Sequence, residues 1–110
     1  MKHIFLNLKR FDIPRDWGGV NSIAEPADWG GYIVNHTQDG VKELLEAAKE
    51  ETEFVMYVPE AHVIPAVQAK TADSPVVIGC QSVFRDDVAE GRNFGAFTSN
   101  RTAKAMKALG

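Results

Sequence analysis

Three short runs of consecutive apolar residues punctuate the chain: Ile4-Phe5-Leu6, Phe54-Val55-Met56-Tyr57-Val58 and Val76-Val77-Ile78-Gly79-Cys80. They are continuous rather than alternating, so each predicts a strand buried on both faces. Pro59 and Pro75 stand at run edges, where a missing donor does little harm. Between the runs the period changes. Val41, Leu44, Leu45 and Ala48 recur at i, i+3, i+4, i+7 against Lys42, Glu43, Glu46 and Lys49, which predicts a helix capped by Thr37 or Asp39. Val63, Ile64 and Val67 predict a shorter helix before Lys70-Thr71, with Pro65 in its first turn. The segment Ser99 to Leu109 predicts a last helix, with Ala103, Met106 and Leu109 on one face and Gly110 closing it.

Strand, helix, strand, helix, strand, helix is the resulting order. Buried strands separated by helices pair in parallel through right-handed crossovers, so the fold class is α/β in a single domain spanning 1–110. A small parallel sheet leaves two edges that need cover or a pairing partner. Residues 11–38 resist the scheme and are read as a long first loop. There Asp16-Trp17-Gly18-Gly19 recurs as Asp28-Trp29-Gly30-Gly31. The plain expectation is two Gly-Gly turns, each pinned by a tryptophan packing back on the sheet. The sharper one is an interaction or lid loop, a common use of long loops in compact domains.

Composition narrows the class. The chain has 110 residues, 45% hydrophobic and 25% charged, with a formal net charge of -3. Those values suit one small soluble domain and exclude disordered, collagen-like and coiled-coil chains. An acidic balance carries no nucleic-acid footprint, which needs clustered positive charge. The single cysteine, Cys80, has no internal partner, so a reducing compartment is expected. No apolar run approaches the roughly 18–20 residues of a membrane span. The N-terminal apolar run is too short for a secretory signal, and the expected location is cytoplasmic.

Candidate chemistry is sparse. His3, His36 and His62 are scattered, none spaced with another ligand residue as metal sites require. Cys80 reads as a small core residue. The glutamates from Glu43 to Glu53 and the cations Arg101, Lys104 and Lys107 read as wet helix faces. The informative positions lie just past each strand: Asn7 and Lys9 after the first, Pro59-Glu60 after the second, Gln81-Ser82 after the third. Parallel α/β folds bind ligands at that end. A lysine there offers a compact positive charge to a phosphate or a developing oxyanion.

These residues resemble a family. Phe5-Leu6-Asn7-Leu8-Lys9 resembles the Asn-Trp-Lys ending the first strand of triosephosphate isomerases, and Gly79-Cys80-Gln81-Ser82 is similar to their Ala-Gln-Asn after the third. Asn93-Phe94-Gly95-Ala96-Phe97-Thr98 resembles the Gly-Ala-Phe-Thr loop, and Lys104 to Gly110 the Leu-Lys-Asp-Leu-Gly helix ending. The likeness covers residues 1–10 and about 53–110. It implies the first three β/α units of a (β/α)8 barrel and cofactor-free interconversion of dihydroxyacetone phosphate and glyceraldehyde 3-phosphate, with no metal. Lys9 would be the catalytic lysine bearing on substrate phosphate and enediolate, and Asn7 the substrate-binding asparagine beside it. Thr98, with Phe97 and Gln81, would make the contact of a homodimer. The partners implied are a small phosphorylated sugar and a second copy, not nucleic acid or membrane.

The departures are as specific. Leu8 replaces the usual Trp, Arg10-Phe11 replaces Met-Asn, Ser82 replaces Asn, and Ser99-Asn100 replaces Gly-Glu. None of His3, His36 and His62 matches the family's electrophilic histidine; by the resemblance that histidine and the general-base glutamate come later than these residues, so the 110 residues alone are expected to be inactive. Two other readings stay open: a non-catalytic binding or assembly protein that keeps an anion site, and an isomerase of another small sugar phosphate.

Overall fold

A computed structural model describes residues 1–91 and 101–110. Its strands are β1 (Lys2–Asn7), β2 (Thr52–Val58) and β3 (Val76–Cys80); its helices are α1 (Trp29–Ala47), α2 (Val63–Ala69) and α3 (Ala103–Ala108). The three strands form one parallel sheet in the order β1-β2-β3, with Ile4, Phe54 and Val76 aligned across it. The sheet matches the apolar runs, and the ladder recruits polar flanks as well: Lys2 pairs with Thr52 and His3 with Glu53.

α1 and α2 cover one face. Phe54, Met56 and Val58 of β2 and Val76 of β3 meet Trp29, Val34 and Val41 of α1 and Val63 and Ala66 of α2 in the core. Burial on both faces holds at the centre of β2, where Phe54, Val55 and Met56 are all buried. It fails for β1. Every residue of that strand is exposed, Ile4 by 38%, Phe5 by 61% and Leu6 by 40%. β1 is an edge strand, and the core helices sit over β2 and β3. On the opposite face Phe5, Tyr57 and Val77 share one side of the register, with the Phe5 and Tyr57 rings 6.0 Å apart. Val77 there is 42% exposed.

The first loop is shorter than expected. α1 starts at Trp29, so residues 29–38, expected as loop, are helical, and Thr37 and Asp39 lie inside the helix rather than capping it. Gly30, Gly31, Asn35 and Gly40 are weak helix formers, and packing overrides them. The buried stripe runs Trp29, Gly30, Val34, Gln38, Val41. Gln38 serves the neighbouring helix: its amide donates to Ala69 O over 3.1 Å and its oxygen accepts from Thr71 N–H. That satisfies backbone groups at the end of α2.

The two Asp-Trp-Gly-Gly copies fold differently. In the first, Gly18 takes a left-handed φ of 87° and ends a single 3-10 turn over Arg15–Trp17. In the second, Asp28 precedes α1 and both glycines stay helical. Trp29 is 2% exposed, as a pinning tryptophan should be, whereas Trp17 is 84% exposed and pins nothing. Buried Asn21 organises the connection instead. Its amide donates to Asp12 O and Ala24 O, and its oxygen accepts from the N–H groups of Ile23 and Ala24. At the other end of the chain Thr102 caps α3, its hydroxyl accepting from Ala105 N–H over 3.1 Å. Ser99 and Asn100, expected in that helix, lie outside the described residues.

Candidate functional site

Asn7, Lys9 and Gln81 come together at the carboxyl end of the sheet. β1 stops at Asn7 because the chain turns there: Leu8 drops into the core and its N–H donates to Tyr57 O over 3.0 Å. Lys9 follows with a φ of 48°, the one non-glycine among the described residues with a left-handed backbone. For an L-residue that conformation costs roughly 1–2 kcal/mol, so something must hold it. Asn7 Oδ1 accepts from Lys9 N–H over 2.9 Å. Gln81, past the end of β3, reaches across β2 and donates to Asn7 Oδ1 at 3.1 Å and to Lys9 O at 2.9 Å. Both polar backbone groups of Lys9 are therefore tied by side chains from two strand ends.

The Lys9 ammonium itself has no hydrogen bond or ion pair among the described residues, so its charge is uncommitted beside an amide cluster. Gln81, expected at a dimer contact, forms part of this cluster. Phe97 and Thr98, the other residues expected there, lie outside the described residues.

Beside the cluster is a cavity of about 180 Å³ whose lining includes Arg10, Glu60, Gln81, Ser82 and Arg101. Arg101 donates to Glu60 Oε2 at 2.6 Å and to Ser82 Oγ at 3.3 Å. The Glu60 carboxylate raises the Arg101 guanidinium further above its ordinary value, first through that hydrogen bond and then through charge. Arg101 was expected on a plain wet helix face, and its turn toward the strand ends has no periodic signal.

Next to Arg10 lies a second pair the sequence did not reveal. Asp12 Oδ2 accepts from Arg10 Nη2 at 2.9 Å and sits 3.0 Å from His62 Nε2. The Asp12 and His62 side chains are 8% and 6% exposed, and Trp29 tilts onto the imidazole at 5.2 Å. Asp12 Oδ1 and His62 Nδ1 are buried without a hydrogen-bond partner among the described residues. This pair ties the first loop to the turn that leads into α2. His3 bonds Glu53, and His36 bonds the Tyr32 carbonyl within α1, not in loop sequence as expected. No histidine or carboxylate is hydrogen-bonded to Asn7, Lys9 or Gln81 among the described residues. There is also no group of three or more His, Cys, Asp or Glu placed to hold a metal among them.

The arrangement can seat an anion beside Lys9, with the Glu60 carboxylate lining the adjoining cavity and paired to Arg101. No helix of the described residues is long and apolar enough to cross a membrane. Set against models of protein families, curated proteins and solved structures, the chain matches none.

Proposed function

We propose that the chain is a triosephosphate isomerase-like unit, supplying the phosphate- and enediolate-stabilising lysine of an aldose–ketose isomerase. The observation that carries this reading is the backbone of Lys9, held at a φ of 48° by Asn7 and Gln81 while its ammonium has no partner among the described residues. Strain of this kind persists where surrounding groups over-determine it, and it clusters at functional sites. An ammonium carried on a backbone held at a strand end is placed to stabilise negative charge developing on a substrate oxygen. Asn7 and Gln81 hold that backbone, through the Lys9 N–H and O.

The architecture supports the same reading. In a (β/α)8 barrel, helices cover the outer face of the sheet and side chains from the strands fill the interior. Here α1 and α2 lie on one face, and Phe5, Tyr57 and Val77 share the other. In this proposal those three face a barrel interior, the sheet is the first part of the barrel, and the working protein is a cytoplasmic homodimer. In this proposal the base that moves the proton is supplied by the assembled enzyme, as no carboxylate or imidazole of the described residues is hydrogen-bonded to Lys9.

Titration of the 110-residue chain with dihydroxyacetone phosphate, followed by amide NMR, tests the site. Shifts centred on Asn7, Lys9 and Gln81 are expected, with affinity at least about ten-fold weaker in Lys9→Ala, as loss of one charge-assisted contact dictates. Equal binding by Lys9→Ala removes the assignment. The same titration serves against a purely assembling role, which the exposed β1 edge favours and which needs no ligand at Lys9.

A further inference from the structure

We infer that the cavity between Arg10 and Arg101 is an oxyanion subsite, separate from the Lys9 ammonium and built for a phosphate or carboxylate group. Three strand ends converge on it. Arg10 comes from the turn after β1, Glu60 from the segment after β2, and Gln81 and Ser82 from the segment after β3. Arg101, just before α3, closes it. The volume of about 180 Å³ is several times the roughly 30 Å³ that a water takes in the liquid.

The chemistry of the lining selects for negative charge. A guanidinium has five N–H donors in a planar fork that matches carboxylate and phosphate oxygens. Among the described residues Arg101 uses Nη1 for Glu60 and Nη2 for Ser82, and Arg10 uses Nη2 for Asp12, so each has further donors not engaged by them. The Glu60 carboxylate, 2.6 Å from Arg101 Nη1, is the protein's own oxyanion at the place an external one takes. Glu60 is an exposed residue on a 3-10 turn, Glu60–His62, and is 42% exposed in its side chain, so it can swing aside. The subsite is thus gated by a carboxylate that competes with the ligand.

Gln81 lines this cavity and also holds Lys9, which places the two cationic sites side by side. A ligand spanning both carries an anionic group at each end. The inference does not rest on the isomerase reading, because an oxyanion in this cavity is held by Arg10 and Arg101 whatever Lys9 does.

The test is amide and guanidinium NMR of the 110-residue chain titrated with inorganic phosphate, and separately with acetate, at constant ionic strength. Saturable shifts at Arg10, Gln81, Ser82 and Arg101 are expected, and whichever probe binds more tightly names the group the subsite prefers. Arg101→Gln should weaken binding at least about ten-fold, and Glu60→Gln should tighten it by a similar factor, since it removes the competing charge. A gain of affinity cannot come from misfolding, so the second variant keeps the test decisive. Lys107→Ala, an equal loss of charge on α3, should leave the affinity unchanged. Absence of saturable shifts at these residues overturns the inference. So does binding that Lys9→Ala abolishes and Arg101→Gln spares, or a Glu60→Gln variant that binds no tighter.

Discussion

The side-chain amide of Gln81 donates to the backbone oxygen of Lys9 over 2.9 Å, tying the end of β3 to the turn after β1 with β2 lying between them. That link and the Asn7 bond hold a lysine in a conformation that favours glycine. Replacing Lys9 by glycine should therefore relieve strain while removing the charge. Lys9→Gly is expected to keep the fold and match or exceed the parent stability by about 1 kcal/mol, as read from urea denaturation, and to lose sugar-phosphate binding. A loss of stability beyond that margin would show that the strain is not there.

Two glycines of α1 should respond in opposite directions. A Cβ on Gly30 would sit 2.7 Å from His62 Cβ and 3.0 Å from His62 O, against the packed start of α2. Gly30→Ala should cost about 1–3 kcal/mol through overpacking. Gly40 has nothing within 4 Å, so Gly40→Ala should stabilise by roughly 0.5–1 kcal/mol through helix propensity alone. Thermal denaturation of the two variants measures both.

The repeated tryptophans separate just as sharply. Trp29 is 2% exposed and Trp17 is 84% exposed. Trp29→Ala should cost about 3–5 kcal/mol, while Trp17→Ala should change stability by less than about 0.5 kcal/mol. Fluorescence of the single-tryptophan variants adds a second readout: quenching by iodide should reach Trp17 and spare Trp29.

Removing Asp12 should leave the buried His62 Nε2 without its acceptor. Asp12→Ala is expected to lose about 1–3 kcal/mol, and because the pair locks the first loop to α2, faster exchange should appear at the amide hydrogens of Ile13 and Asn21. Both groups donate within that loop, to Arg10 O and Ile13 O.

The pH dependence of one exposed ion pair follows from its geometry. Lys42 Nζ lies 2.6 Å from Asp73 Oδ2. The hydrogen bond from Lys42, helped by one from Thr71, holds the Asp73 carboxyl below its ordinary 3.8, and the hydrogen bond to Asp73 raises the Lys42 ammonium above its ordinary 10.5. The carboxylate's contribution is complete above 3.8 and disappears as pH falls through the lowered value. The ammonium's contribution is complete below 10.5 and disappears as pH rises through the raised one. Lys42→Met should flatten both limbs of a stability–pH curve slightly, since exposed pairs contribute little.

Much of the sheet was legible because short apolar runs edged by Pro59 and Pro75 admit few other readings. The first half of α1 was not, since Gly30 and Gly31 look like turn residues until Trp29 and His62 supply the packing that makes them helical. β1 departs from its pattern for a related reason: Ile4-Phe5-Leu6 is as apolar as a buried strand, but what covers a strand is decided by where the helices land. Asn7, Lys9 and Gln81 were legible from their places after strands. Asp12 with His62, and Arg10 with Arg101, were not, because the turns that join them are not periodic and no spacing announces them.

The most direct measurement is the isomerisation of dihydroxyacetone phosphate by the complete gene product in its native assembly, compared with its Lys9→Ala variant. The account predicts turnover by the parent and a fall in kcat/KM of at least about a hundred-fold in the variant, the scale for removing one preorganised charge contact. Unchanged kcat/KM in Lys9→Ala, or an assembled protein that isomerises no sugar phosphate, would contradict it.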